Sequence, residues 1–180
     1  FTRPQAAAPS WPGLLTVDAA ARRAITAYLG VFGPASPAAF DAWLLRGATS
    51  KPTLRRWFAD LDDTLVSVDV EGESLYARAE DVDSLASTRP GRVVRLLPAF
   101  DQFVLGPGTA DEHLVPARPR ALVSRAAGWI SPVVATAHGV VGTWEATAGR
   151  AEITLFPDAP APKKAALKRE IARVQPLLKQ

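Results

Sequence analysis

Apolar and polar positions recur along this chain with two different periods, and the change from one to the other divides it into segments. From Leu14 onward Ala21, Ile25, Tyr28 and Leu29 fall at helical spacing, with Thr16 or Asp18 placed to cap a helix and Gly30 and Gly33 to end it. A second helix is predicted where Ser36 caps, Pro37 occupies the first turn, Phe40, Trp43 and Leu44 share a face, and Gly47 stops the run. A third begins at the Ser50 cap, with Pro52 in its first turn and Leu54, Trp57, Phe58 and Leu61 forming an i, i+3, i+4, i+7 stripe. Between Leu65 and Arg78 the period falls to two around Glu71-Gly72, which predicts a β-hairpin. Residues 1–13 contain three prolines and no period, so they read as an irregular lead-in.

The second half is richer in strands. Val93, Val94, Leu96 and Leu97 predict a strand that Pro98 ends. Residues 114–129 fit either a helix or irregular coil. Residues 132–157 read as three strands of an antiparallel meander, with turns at Ala137-His138-Gly139 and Ala148-Gly149. Beyond them Leu167, Ile171, Val174 and Leu178 share one helical face, predicting a C-terminal helix packed on the sheet. The expected fold class is α+β: a winged helix over residues 14–88, followed by a small antiparallel β-domain with a packed C-terminal helix over residues 91–180.

Three helices and then a hairpin is the element order of a winged helix, whose second and third helices form a helix-turn-helix. The N-terminal turns of the third then meet base edges in the DNA major groove. This reasoning selects Arg46, Lys51, Thr53, Arg55 and Arg56, at or near the start of the third helix, as DNA-binding candidates, since cations reach phosphates and an Arg can grip guanine. Winged helices also serve as protein-interaction modules, so that reading stands beside it. The segment is slightly acidic, and its hairpin tip, Asp69 to Glu73, carries three acids, which would keep the tip away from phosphate.

Composition narrows the chemistry. With 48% apolar residues in 180, the chain can fill a sizeable core, and no apolar run approaches the roughly 18 residues of a membrane span. Cytoplasmic residence without a membrane partner is the default expectation. The chain starts with Phe and contains no Met, from which we expect it to begin inside a longer gene product. The sequence sets no oligomeric state. Cysteine is absent and the only histidines are His113 and His138, so no metal is expected. No G-x-S-x-G, G-x-G-x-x-G or Walker loop occurs, and no cofactor is expected. The formal charge of +3 is uneven: residues 161–180 hold six Lys or Arg against one Glu, and the rest of the chain sums to −2. Lys164, Lys168, Arg169 and Arg173 would then face away from the core, either solvating the helix or running along a nucleic-acid backbone.

Three polar features stand out as candidate chemistry. Asp111-Glu112-His113 lies in a turn-rich loop, where a solvated cluster is expected, and His138 lies at a predicted turn, where it needs no role. Asp101 stands between Phe100 and Phe103-Val104-Leu105, so it is expected to be largely buried and hydrogen-bonded. It would tie a non-regular loop or, alternatively, position water in a reaction, while Gln102 points outward.

Three phrases extend beyond any generic winged helix: LLPAFDQFVLG at Leu96–Gly106, GWISPVV at Gly128–Val134 and VVGTWE at Val140–Glu145. With them, residues 15–158 resemble the winged-helix DNA-binding proteins that include the AlkZ-like, crosslink-unhooking DNA glycosylases. The resemblance implies tandem winged helices and a β-domain curving around double-stranded DNA, and metal-free cleavage of the N-glycosidic bond of alkylated purines. The catalytic motif it implies, Gln-x-Gln or Gln-x-Asp, is absent, since Gln5, Gln102, Gln175 and Gln180 are none of them followed by Gln or Asp two positions later. No catalytic residue is therefore assigned. The chain is expected to be the DNA-binding part of such a repair enzyme, active only with an N-terminal portion. The alternative is a winged-helix transcriptional regulator or interaction module without enzymatic activity.

Overall fold

A computed structural model of the chain describes residues 2–179. Phe1 and Gln180, which bound the expected lead-in and second domain, lie outside the described residues. The chain divides into two compact units, Phe1–Asp83 and Ser84–Gln180. Helices accompany two separate antiparallel sheets, one of two strands and one of four, giving α+β structure.

The first unit is built around Tyr28. A short helix, α1 (Pro4–Ala7), interrupts the lead-in read as irregular; a proline-started alanine turn is too brief to show a period. α2 (Val17–Phe32) is capped by Thr16, whose hydroxyl accepts from the Ala19 amide at 3.3 Å, and buries Ala21, Ile25, Tyr28 and Leu29. It runs through Gly30 and ends at Gly33, because the apolar face extends to Phe32. α3 (Pro37–Phe40), capped by Ser36, continues through Asp41–Leu45 as a widened π turn closed by Arg46 in the left-handed region. The wider turn rotates the following side chains, so Leu45 packs on the core whereas Leu44, expected inside, is exposed. α4 (Lys51–Ala59) buries Leu54, Trp57 and Phe58, with Leu61 just beyond it.

Aromatic rings knit these elements together. Tyr28 lies 5.6 Å from Phe40 and 5.1 Å from Trp43, and Phe58 bridges Phe40 at 6.0 Å to Tyr76 at 5.2 Å. Tyr76 belongs to the predicted hairpin, formed by β1 (Leu65–Val70) and β2 (Glu73–Arg78) around Glu71 and Gly72, both at positive φ. Ala35 and Tyr76 exchange two backbone hydrogen bonds of 2.9 Å, which fixes the hairpin to the helices. α5 (Val82–Ser87) follows.

In the second unit the four strands lie in chain order, β3 (Arg95–Leu97), β4 (Val133–Thr136), β5 (Gly139–Thr147) and β6 (Arg150–Leu155). Between β3 and β4 the chain forms α6 (Gln102–Leu105) and α7 (Arg120–Val123), so the segment left open between helix and coil is one short helix followed by a turn. Consecutive valines place one side chain on each face of the sheet: Val133 and Val140 join one core, Val134 and Val141 the other. A sheet covered on both sides explains why these strands read as continuous apolar runs. Gly139 turns at φ 86°, and a Cβ there would stand 2.7 Å from the Leu114 carbonyl oxygen, so the turn needs glycine.

α8 (Lys164–Val174) covers the second core with Ala166 and Val174. Between them lies a residue that periodicity did not single out. The Glu170 side chain is only 3% exposed, and its carboxylate accepts the Leu96 amide of β3 at 2.9 Å. Arg173 donates to it twice, at 2.8 and 2.7 Å, and Arg95 approaches at 3.5 Å. A buried charge requires such pairing. The Arg173 hydrogen bonds, the strongest influence, hold the carboxyl below its ordinary value near 4.5 against the opposing effect of burial, and the Leu96 amide adds to them. With its folded-state pKa depressed, Glu170 contributes stability that is complete above about pH 4.5 and disappears as pH falls through the folded value.

Glu170→Ala should therefore destabilise the second unit at neutral pH by about 2–4 kcal/mol, the usual cost of breaking a buried pair reduced because both guanidiniums are half in water. Urea unfolding of the two proteins checks this. The gap between them should close as pH is lowered through the folded-state pKa of Glu170, and a gap that persists in acid would contradict the charge-based account.

Candidate nucleic-acid interface

The approach to α4 determines which cations stand free. Arg46 adopts φ 52° and donates its amide to the Asp41 carbonyl at 2.6 Å; its side chain is exposed. Ser50 caps the helix by accepting the Thr53 amide at 3.3 Å, and the two hydroxyls lie 2.9 Å apart, so Thr53 is part of the cap. Lys51 and Arg55, one helical turn apart, share an exposed face. Neither makes a side-chain hydrogen bond or ion pair among the described residues.

Arg56 differs. Its guanidinium donates to both oxygens of Asp18 on α2, at 2.8 and 3.3 Å, and lies 3.6 Å from Asp60. Asp18 also accepts the Trp57 indole N–H at 2.7 Å. The Arg56 bonds foremost, and then the Trp57 bond, hold Asp18 below the ordinary carboxylate range, while the Asp18 bond raises Arg56. Arg22 of α2 donates to the Asp60 backbone carbonyl and pairs with Asp63 at 3.8 Å. The five sequence candidates thus divide into three exposed cations, Arg46, Lys51 and Arg55, one capping hydroxyl, and one arginine clamping α2 to α4. Asp18 escaped notice as that clamp because it lies 38 residues from Arg56, and no local pattern signals the contact.

At the hairpin tip, Asp69 accepts the Gly72 amide at 3.2 Å, which uses one acid to shape the turn. The tip remains acidic through Glu71 and Glu73.

Asp101 is half-buried rather than largely buried. Phe100 adopts φ 58° and turns outward, 43% exposed, so the aromatic neighbours do not enclose the acid. Its carboxylate caps α6 by accepting the Phe103 amide at 2.8 Å, Gln102 is exposed, and Val104 supplies the buried contact. Phe100 meets Trp129 edge to face at 5.0 Å, joining the two phrases Leu96–Gly106 and Gly128–Val134. Asp111 accepts the His113 amide at 2.9 Å and Glu112 pairs with Arg120 at 3.3 Å, an arrangement that orders a loop. His138 donates its amide to Thr136 at the turn before β5. Among the described residues no three His, Cys, Asp or Glu gather as metal ligands, and no helix is long and apolar enough to cross a membrane.

Comparison with known proteins places this architecture. An interstrand DNA cross-link repair glycosylase of Streptomyces sahachiroi is 46% identical over 164 residues, which is 91% of this chain and 44% of that protein. The solved structure of the Streptomyces sahachiroi DNA glycosylase AlkZ superposes with a TM-score of 0.91 at 44% identity, covering 97% of this chain and 48% of the other. The chain therefore spans a little under half the length of these relatives. The family model of DNA glycosylase AlkZ-like proteins matches residues 1–177, and this chain belongs to that family.

Proposed function

We propose that this chain is a duplex-DNA-binding part of a DNA-repair glycosylase, with the first unit acting as a winged helix. The observation that carries the reading is the family match over residues 1–177, joined to 46% identity with a cross-link repair glycosylase. The geometry supports it locally. A capped helix, α4, follows a tight left-handed turn at Arg46 and exposes Lys51 and Arg55 near its N-terminus, where a recognition helix meets DNA. The antiparallel hairpin after α4 occupies the place of a wing, and its acidic tip stays off the phosphates.

The contact residues follow from which groups are free. Arg46, Lys51 and Arg55 reach phosphates or base edges, whereas Arg56 holds Trp57 and α2 in place through Asp18. Thr53 positions the first turn. Asp101 shapes the loop before α6 and takes no part in the reaction. Hydrolysis of the glycosidic bond belongs to the longer protein, because the Gln-x-Gln or Gln-x-Asp pair does not occur in these 180 residues. Extrusion of a damaged base costs unstacking energy, and backbone contacts of the kind offered here supply binding free energy that offsets it.

Arg55→Glu should weaken duplex binding about tenfold at moderate salt and lower the slope of log affinity against log salt by about one, as expected for a lost phosphate contact. Fluorescence anisotropy with an undamaged duplex measures both. Arg56→Ala should instead lower the thermal stability of the first unit while leaving the salt slope unchanged. Loss of slope in Arg56→Ala, with none in Arg55→Glu, would reverse these roles.

Incubation with DNA containing 7-methylguanine tests the reaction class. Free base should be released by the full-length protein and not by the 180-residue chain. Release by neither, together with binding to a protein partner instead of duplex DNA, would favour an interaction module.

A further inference from the structure

The arginines of α8 do not merely solvate an outer face, because they meet two others from far away in the chain. In the second unit an open cleft of about 330 Å³ is rimmed by Arg92 and Arg95 on one side and Arg169 and Arg173 on the other, with Val94 in its apolar lining. Glu170 lies at its base, nearly out of reach of water, and draws Arg95 and Arg173 toward one point. Four guanidiniums against one carboxylate leave the cleft with three positive charges in excess.

Donors remain to be used. Arg173 engages Glu170 through Nε and Nη2, and Arg95 uses Nη1, so Nη1 of the first and Nη2 and Nε of the second are uncommitted. Arg92 and Arg169 have no hydrogen-bond or ion-pair partner among the described residues. Holding two guanidiniums on a fixed carboxylate removes part of their rotamer freedom before any ligand arrives, which lowers the cost of ordering them. Like charges brought this close repel one another, and an anion relieves the repulsion.

We infer that this cleft grips the phosphodiester backbone of duplex DNA, as a second anchor additional to α4. Planar guanidinium forks match phosphate oxygens, and a backbone delivers successive charges to a cleft with three in excess, whereas a lone carboxylate neutralises one. A membrane surface fits less well, because α8 turns its larger apolar residues toward the core and leaves only Ala165 and Ala172 exposed for a bilayer. The inference rests on the duplex-binding reading above and adds to it a site in the other unit.

The test uses the 180-residue chain, a labelled undamaged duplex and anisotropy over a range of salt, with Arg92→Gln/Arg169→Gln and Arg92→Lys/Arg169→Lys compared with wild type. Both pairs alter exposed side chains outside the Glu170 network, and matching thermal melts verify the fold. The Gln pair should lower the salt slope by about two and weaken binding at least tenfold, while the Lys pair keeps the slope and most of the affinity. Wild-type binding with an unchanged slope in the Gln pair would overturn this inference and leave the duplex-binding reading intact. No wild-type binding to duplex would overturn both. Retention on phosphatidylserine vesicles that depends on the two arginines, with duplex binding unaffected by them, would assign the cleft to a membrane and overturn it as well.

Discussion

A carboxylate withdrawn from water between the apolar residues of a helix face constrains everything around it. Glu170 cannot remain charged in that position unless hydrogen-bond donors reach it, and the donors come from α8 itself, from the β3 backbone and from Arg95. The helix is thereby fixed to β3 at a defined register, which plain packing of Leu167, Ile171 and Leu178 would specify less sharply. The same contact orients arginines toward a common cleft. One buried charge thus links the packing of the sheet to the electrostatics of its surface.

A parallel arrangement operates in the first unit with a more exposed carboxylate. Asp18 joins α2 to α4 by taking Arg56 and the Trp57 indole together, beside the aromatic cluster centred on Tyr28. In both units arginine is divided between fastening helices and facing solvent. A count of basic residues therefore overstates what is available to a polyanion. Arg56 and Arg173 are committed wholly or in part, whereas Lys51, Arg55, Arg92 and Arg169 have no side-chain partner among the described residues.

Periodicity made most of the elements legible, since local spacing determines which face of a helix or strand is apolar. Ala21, Ile25, Tyr28 and Leu29 are buried as their spacing implied, and the meander turns fall at Ala137-His138, just before Gly139 opens β5, and at Ala148-Gly149. What spacing missed depended on backbone detail or on distant partners. The π turn at Asp41–Leu45 exchanged the roles of Leu44 and Leu45, and the positive φ of Phe100 opened the surroundings of Asp101. Glu170 and Arg95 lie 75 residues apart, as remote as any helical pattern can overlook. The likeness carried by LLPAFDQFVLG, GWISPVV and VVGTWE proved more informative about family than any single charged residue, because those phrases specify a packed strand, loop and sheet together.

The central claim is that free cations on α4 and in the cleft beside α8 carry duplex binding. Hydrogen–deuterium exchange of the 180-residue chain, with and without an undamaged duplex, tests it most directly. The account predicts slowed exchange at the Lys51–Arg55 amides and around Val93–Arg95 and the start of α8. Slowing confined to the hairpin tip or to the Phe100 and Trp129 loops, with these segments unchanged, would contradict it.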